Sequence, residues 1–413
     1  MDARRAAEMA ARNAYGRLVA YLASRTRDLA AAEDALGDAF LAALNTWPHQ
    51  GVPDKPEAWL LVTARRRLID AARRHQTQTQ VLGMLTLAEP ESLAGVGEER
   101  VTFPDDRLKL LFICAHPAID ASIHTPLMLQ TVLGLTGAQI ASAFLVAPAT
   151  MGQRLVRAKA KIRDAAIAFE LPNPEDLPQR VEAVLAAIYA AYTQGWELVA
   201  GGDPRQPGLA AEAIWLARLC VQLLPQVAEA RGLLALLLYC EARRAARRTP
   251  TGAYVPLLQQ DTTLWCQGLI DEAEHALAQA ATAQTMGRFQ LEAAIQSVHS
   301  QRAVTQRVDW GALVLLYAGL MQVAPTLGAW VSQAAAIAHS QGIDRGLAHL
   351  TALDAAAVQN YQPFWALKAH LLQQLGQGDA AQVCYTRAIG LTEDPAVRAF
   401  LLQAAGRSPG AGA

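Results

Sequence analysis

Leu133-Gly134-Leu135-Thr136-Gly137-Ala138-Gln139-Ile140-Ala141-Ser142-Ala143-Phe144-Leu145-Val146-Ala147-Pro148-Ala149-Thr150-Met151-Gly152-Gln153-Arg154-Leu155-Val156-Arg157-Ala158-Lys159-Ala160-Lys161 is the stretch on which the reading of this chain turns. Apolar residues return at helical spacing on both sides of an interruption at 145–149. Thr136 is placed to cap a first short helix and Thr150 a second, because a threonine hydroxyl accepts from the free amides of a first turn. Pro148 keeps the first helix from running on, and Ile140 and Ala141 face inward with Leu155. Two short helices joined by a tight turn make a helix-turn-helix. In that motif the second helix enters the major groove and its first turns meet base edges. Here those positions are Thr150, Gln153, Arg154 and Arg157. Arginine pairs with guanine, and glutamine with adenine, through two hydrogen bonds each. Lys159, Lys161 and Arg163 follow, where cations neutralise phosphates.

A second basic stretch runs from Trp59 to Arg74. Trp59, Val62, Leu68, Ile69 and Ala72 mark an apolar face, with Trp59 read as a core anchor. Arg65, Arg66, Arg67, Arg73 and Arg74 cover the remainder. Upstream, Asn45 to Pro56 holds Pro48, Gly51, Pro53 and Pro56 and reads as a loop able to hold an unpaired base beside the helix. A duplex base must leave its stack before a protein can grip it. The whole chain has a net charge of −1, which argues against a generic nucleic-acid binder. The charge is uneven, however. Lys55 to Arg74 holds six basic and two acidic residues, and Arg154 to Arg163 holds five basic and no acidic ones. Two local patches suffice to hold DNA on a neutral protein.

At 413 residues the chain exceeds one helical core, and about two to four domains are expected. Ala and Leu dominate and alternating strand patterns are weak, so the expected class is all-α. The spacing predicts a first domain over 1–75, a linker over 76–104 without apolar period, a second domain over 105–171, and a series of Ala/Leu-rich helices over 179–407. Pro172, Pro174 and Pro178 mark the last boundary, and the tail from Ser408 is Gly/Pro/Ala-rich. Cys114, Cys220, Cys240, Cys266 and Cys384 lie at least 20 positions apart. They read as free thiols of a reducing cytoplasm and not as a zinc site. No apolar run of about 18 residues suggests a membrane span. The sequence has no Walker loop, HExxH or GxSxG and no carboxylate pair beside a histidine, so neither an enzyme nor a cofactor is expected.

In the C-terminal half, Trp365, Leu372, Gly376, Ala381, Tyr385 and Ala388 match the spacing of a tetratricopeptide unit, and Trp330 precedes Trp365 by 35 positions. Ala210 to Trp215 followed by Leu233 to Cys240 suggests a further helix pair. Stacked helical hairpins of this kind offer a surface for a protein or peptide ligand.

The residues also carry a resemblance. Ala32-Glu33-Asp34-Ala35-Leu36-Gly37-Asp38-Ala39-Phe40 resembles the polymerase-binding helix in region two of bacterial sigma factors, and Trp59 to Arg74 resembles the promoter-melting helix of that region. Asp105 to Pro117, with Phe144 to Lys159, resembles region four. Together they resemble the extracytoplasmic-function sigma factors, in the subgroup with a tetratricopeptide-like C-terminal extension. The resemblance implies that Asp34, Asp38 and Phe40 bind core RNA polymerase, on the β′ clamp helices, with the β flap as a further contact. It also implies that Arg65, Arg66, Arg67, Arg73 and Arg74 handle the −10 element of promoter DNA. Thr150, Gln153, Arg154, Arg157 and Lys161 would serve the −35 element. Gly37 stands where Gln is common, Arg66 where many relatives have Asn, and Ala115 where a Cys usually follows Cys114. Cys114 and His116 therefore read as packing residues. The competing reading is a helical-repeat interaction protein with a degenerate DNA-binding front end.

Overall fold

The computed structural model describes residues 3–79, 105–144, 146–197 and 209–406. Residues 80–104, most of the expected linker, and the tail from Ser408 lie outside the described residues. The class is all-α: among the described residues there is no strand, only an isolated bridge between Arg248 and Tyr254. The chain divides into two compact units, Met1–Leu216 and Ala217–Ala413.

The first unit begins with α1 (Ala3–Thr26), α2 (Leu29–Gln50) and α3 (Pro56–Thr79). Asp28 caps α2 by accepting from the Ala31 amide at 3.0 Å. Leu18, Val19 and Leu22 of α1, Leu29, Leu36 and Trp47 of α2, and Leu60, Leu61 and Ala64 of α3 are all buried. Two expectations are corrected here. Asn45 to Pro56 is not a loop throughout, because α2 continues through Pro48 to Gln50. Buried Trp47 holds that last turn in place. Pro48 has no N–H to donate to the Leu44 carbonyl, and Leu44 is an exposed residue. Gly51, at φ +86°, then ends the helix and donates its amide to the Trp47 carbonyl. The core anchor is likewise Trp47. Trp59 is half-buried and meets Trp47 edge-on at 5.5 Å.

Next come α4 (Arg107–Cys114), α5 (Ala121–Thr131), α6 (Gly137–Ala143) and α7 (Pro148–Asp164). Leu110 to Cys114, Leu127, Leu129, Ile140, Leu155 and Ile162 are buried among them. Helix α8 (Leu177–Glu197) follows the prolines and packs back on α4 and α5. It buries Val181, Val184, Leu185, Ile188 and Tyr192. Arg180 donates to the Phe112 carbonyl, and the Thr125 hydroxyl donates to the Ala187 carbonyl at 2.8 Å. The division between the two units falls within helix α9 (Leu209–Leu223), after Leu216.

The second unit holds α10 (Ala228–Ala242), α11 (Gln267–Ala281), α12 (Arg288–Ser300), α13 (Arg302–Thr305) and α14 (Trp310–Val323). It closes with α15 (Leu327–Gln341), α16 (Ile343–Thr351), α17 (Ala355–Val358), α18 (Gln362–Gln374), α19 (Gly378–Gly390) and α20 (Pro395–Ala405). Helix α10 is buried on nearly every side, against α11 and α12. The helical series is not continuous, because 243–266 is irregular with short 3-10 turns. In that segment the Trp265 ring meets the guanidinium groups of both Arg243 and Arg302, at 6.0 and 5.2 Å. Arg302 also donates to the carbonyls of Leu257 and Gln260 at 3.0 and 2.8 Å. Helices α18 and α19 turn at Gly376, φ +76°. They share one core of Leu372, Ala381, Tyr385 and Ala388, with Trp365 at its edge. Trp330 stacks on His349 at 4.5 Å and donates its indole N–H to the His349 carbonyl at 3.0 Å, and Trp365 donates its own to the Val358 carbonyl at 3.1 Å.

Candidate protein and nucleic-acid interfaces

Helix α6 starts at Thr136 with a capping box. The hydroxyl accepts from the Gln139 amide, and the Gln139 side chain accepts from the Thr136 amide at 2.9 Å. Reciprocal bonding of this kind satisfies two free amides at once. The start of α7 differs from expectation. Ala147 is its cap residue and Pro148 its first helical residue. Proline suits that position because its missing N–H would have had no partner there. Thr150 therefore lies inside the first turn and does not cap the helix.

Helix α7 divides cleanly. Met151, Leu155, Ala158 and Ile162 are buried in one row. Thr150, Gln153, Arg154, Arg157 and Lys161 are all exposed, and at 3.6 residues per turn they fall in one outward stripe. Val156, 64% exposed, borders it. Lys159 leaves this set: its ammonium sits 2.6 Å from Glu33 of α2, with only 13% of the lysine side chain and 9% of the glutamate exposed. It is a structural cation, not a surface one. Burial pushes the Glu33 carboxyl above its ordinary range, although Lys159 beside it acts the other way.

Helix α2 carries a second stripe. Asp34, Gly37 and Asp38 are exposed, with Leu41 (60%) and Leu44 (43%) on the same side. The two leucines were not singled out in the sequence. Phe40 is half-buried and stacks on Tyr15 at 6.5 Å, so its ring belongs to the α1–α2 contact.

On α3, Arg66, Arg67 and Arg73 are exposed and Arg65 is half-buried. The side chain of Arg74 lies outside the described residues. Val62, Leu68 and Ile69, expected as a buried face, are only half-buried, because Leu60, Leu61 and Ala64 make the core contact. Cys114 is buried with its sulfur 3.3 Å from the Thr131 hydroxyl, and burial pushes its thiol up to about 12. His116 lies beside it in sequence, half-buried. Among the described residues no group of His, Cys, Asp or Glu is arranged to hold a metal, and no helix is long and apolar enough to cross a membrane.

Comparison with known proteins bears on both ends of this arrangement. Residues 11–78 match the sigma-70 region 2 family, which supports a role in transcription initiation. Residues 180–281 match a family of unknown function (DUF6596). The chain is 34% identical over 391 residues to an uncharacterized protein of Rhizobium meliloti (strain 1021), covering 94% of this chain and 91% of that protein. No solved structure matches.

Proposed function

We propose, since this chain belongs to one family with the Rhizobium meliloti protein and carries a sigma-70 region 2 domain at its N-terminus, that it is a sigma factor of the extracytoplasmic-function type. It brings core RNA polymerase to particular promoters and does no chemistry itself. The observation that carries this reading is the exposed stripe of Asp34, Gly37, Asp38, Leu41 and Leu44 inside the matched segment. Two carboxylates flanked by apolar side chains suit a protein partner that offers cations around a hydrophobic patch. On this reading the partner is the β′ clamp. Helix α3 then handles the −10 element with Arg65, Arg66, Arg67, Arg73 and Arg74. Helix α7 reads the −35 element with Thr150, Gln153, Arg154, Arg157 and Lys161, and its domain meets the β flap.

The domains on this reading are 1–75, a linker over 76–104, 105–171, and the helical extension 179–407. The extension supports the sigma part through α8, which fills the face of α4 and α5. Removing everything after Leu171 strips Val184, Leu185 and Ile188 from that core, at roughly 1.5–3 kcal/mol for each large side chain uncovered. The truncated chain is therefore expected to lose both stability and transcription.

The test is a binding assay with core RNA polymerase. Asp34→Lys with Asp38→Lys should abolish binding while leaving the melting temperature near that of the parent, since exposed substitutions rarely cost more than about 0.5 kcal/mol. Unchanged affinity in the double variant removes α2 from the interface.

A further inference from the structure

In the second unit, the irregular segment 243–266 and the end of α12 gather positive charge without a carboxylate to balance it. Arg243 and Arg302 both approach the Trp265 ring, and neither has an ion-pair partner among the described residues. The nearby Arg244 and Arg248 are paired, with Glu241 and Asp394. Glu292 shares the surroundings of Cys240 with Arg243, but Arg288 engages it at 2.8 Å. Arg243 is only 7% exposed, and a cation that deep is costly without a counter-charge. The effect reaches His299 at the end of α12. Burial, with Arg243 and Arg302 acting the same way, pushes its imidazole down to about 4.

Three buried polar atoms of this cluster have no hydrogen-bond partner: Gln260 Oε1, Trp265 Nε1 and His299 Nδ1. All three residues are more than nine-tenths buried. Buried polar atoms are seldom left unpaired, and the indoles of Trp330 and Trp365 in the same unit both donate to carbonyls. We propose that Arg243, Arg302, Trp265, His299 and Gln260 form a binding site for a small hydroxy-carboxylate. The charge calls for an anion. The donors still available choose among anions. Arg302 spends its two terminal nitrogens on the carbonyls of Leu257, Leu258 and Gln260. Arg243 gives Nε to the Tyr239 carbonyl and Nη2 to Cys240 and Gln296, which leaves Nη1. With the Trp265 N–H and one nitrogen of a neutral His299, that makes three donors. They suit the two oxygens of a carboxylate, whereas a phosphate brings three oxygens and more charge. Gln260 donates its amide nitrogen to the Val255 carbonyl, so its oxygen is left to accept from a hydroxyl on the ligand. The site lies wholly within the second unit and does not depend on the polymerase reading.

The test titrates the full chain, with isotope-labelled indoles, with sodium glycolate at constant ionic strength, and with sodium chloride as the reference. The Trp265 indole signal, identified by its loss in Trp265→Phe, should move to saturation, while the signals of Trp330 and Trp365 stay in place. Acetate lacks the hydroxyl and should need roughly five-fold more to reach the same shift. Calorimetry then reads the variants. Trp265→Phe keeps an aromatic ring beside both guanidinium groups and loses only the N–H donor, so it should stay folded and bind glycolate about ten-fold more weakly. Arg243→Lys keeps the charge and loses the planar fork, and should weaken binding as well. Trp265→Phe decides the matter even where Arg243→Lys fails to fold. A Trp265 signal that merely follows the chloride reference overturns the site, and so does equal affinity in the parent and Trp265→Phe. Inorganic phosphate saturating below glycolate overturns the choice of a carboxylate. Equal affinity for acetate and glycolate overturns the part given to Gln260.

Discussion

Helices α3 and α7 are both rich in arginine, yet they are built on opposite plans. Helix α7 buries Met151, Leu155, Ala158 and Ile162 completely and exposes a polar stripe with little apolar surface in it. Among its described side chains, helix α3 buries Leu60, Leu61 and Ala64 near its start, and leaves Val62, Leu68 and Ile69 half-exposed among its arginines. A rigid amphipathic helix with an outward cationic stripe suits an intact duplex, whose phosphates and base edges are met from one side. Half-exposed apolar residues between cations suit unstacked bases, which offer flat apolar faces along a charged backbone. On the proposed function, the difference suits the two helices to two states of the same DNA.

The sharpest way to break that contrast is to remove buried volume. Leu155→Ala should cost about 2–5 kcal/mol in chemical denaturation, and Leu68→Ala far less. Similar losses at both sites would mean that α3 is as firmly packed as α7. Next in size is base reading. Arg154→Ala or Arg157→Ala should each cost about 1–3 kcal/mol in discrimination between promoter sequences, measured by competition binding. Arg66→Ala and Arg67→Ala should weaken binding to a premelted fragment with little change in that discrimination. Thr136→Ala should lower stability by about 1 kcal/mol in a melting experiment, because it removes the cap of α6. The smallest effect separates neighbours on α7. Lys161→Ala should reduce the salt dependence of DNA binding by about one counterion, whereas Lys159→Ala should leave that slope unchanged, since its ammonium already faces Glu33.

Local patterns were legible, and long-range partners were not. The capping box at Thr136 and Gln139 is spelled out in four consecutive residues, and the buried row of α7 follows from helical spacing alone. The misplaced cap at Thr150 had an available signal, since Pro148 suits a first helical position and puts Thr150 two residues inside. The helical wheel also sets Lys159 off the stripe of Arg154 and Arg157, but nothing nearby in sequence announces Glu33. The passage of α2 through Pro48 was hidden for the same reason. Proline predicts a break, and burial of Trp47 beside Trp59 outweighs it. The role of α8 lay behind Pro172, Pro174 and Pro178, which read as a boundary although the helix after them returns to the core of α4 and α5. The irregular 243–266 segment depends on Arg243 and Arg302 meeting Trp265 from distant positions, a contact that no periodicity encodes.

Promoter-directed transcription tests the central claim most directly. Purified core RNA polymerase, the full-length chain and a library of genomic fragments should yield discrete run-off transcripts that share upstream elements. Those transcripts should vanish with Asp34→Lys and Asp38→Lys, and change in sequence preference with Arg154→Ala. Transcripts no different from those of core enzyme alone, with chain that binds DNA but not polymerase, would contradict the account and leave a DNA-binding protein of another kind.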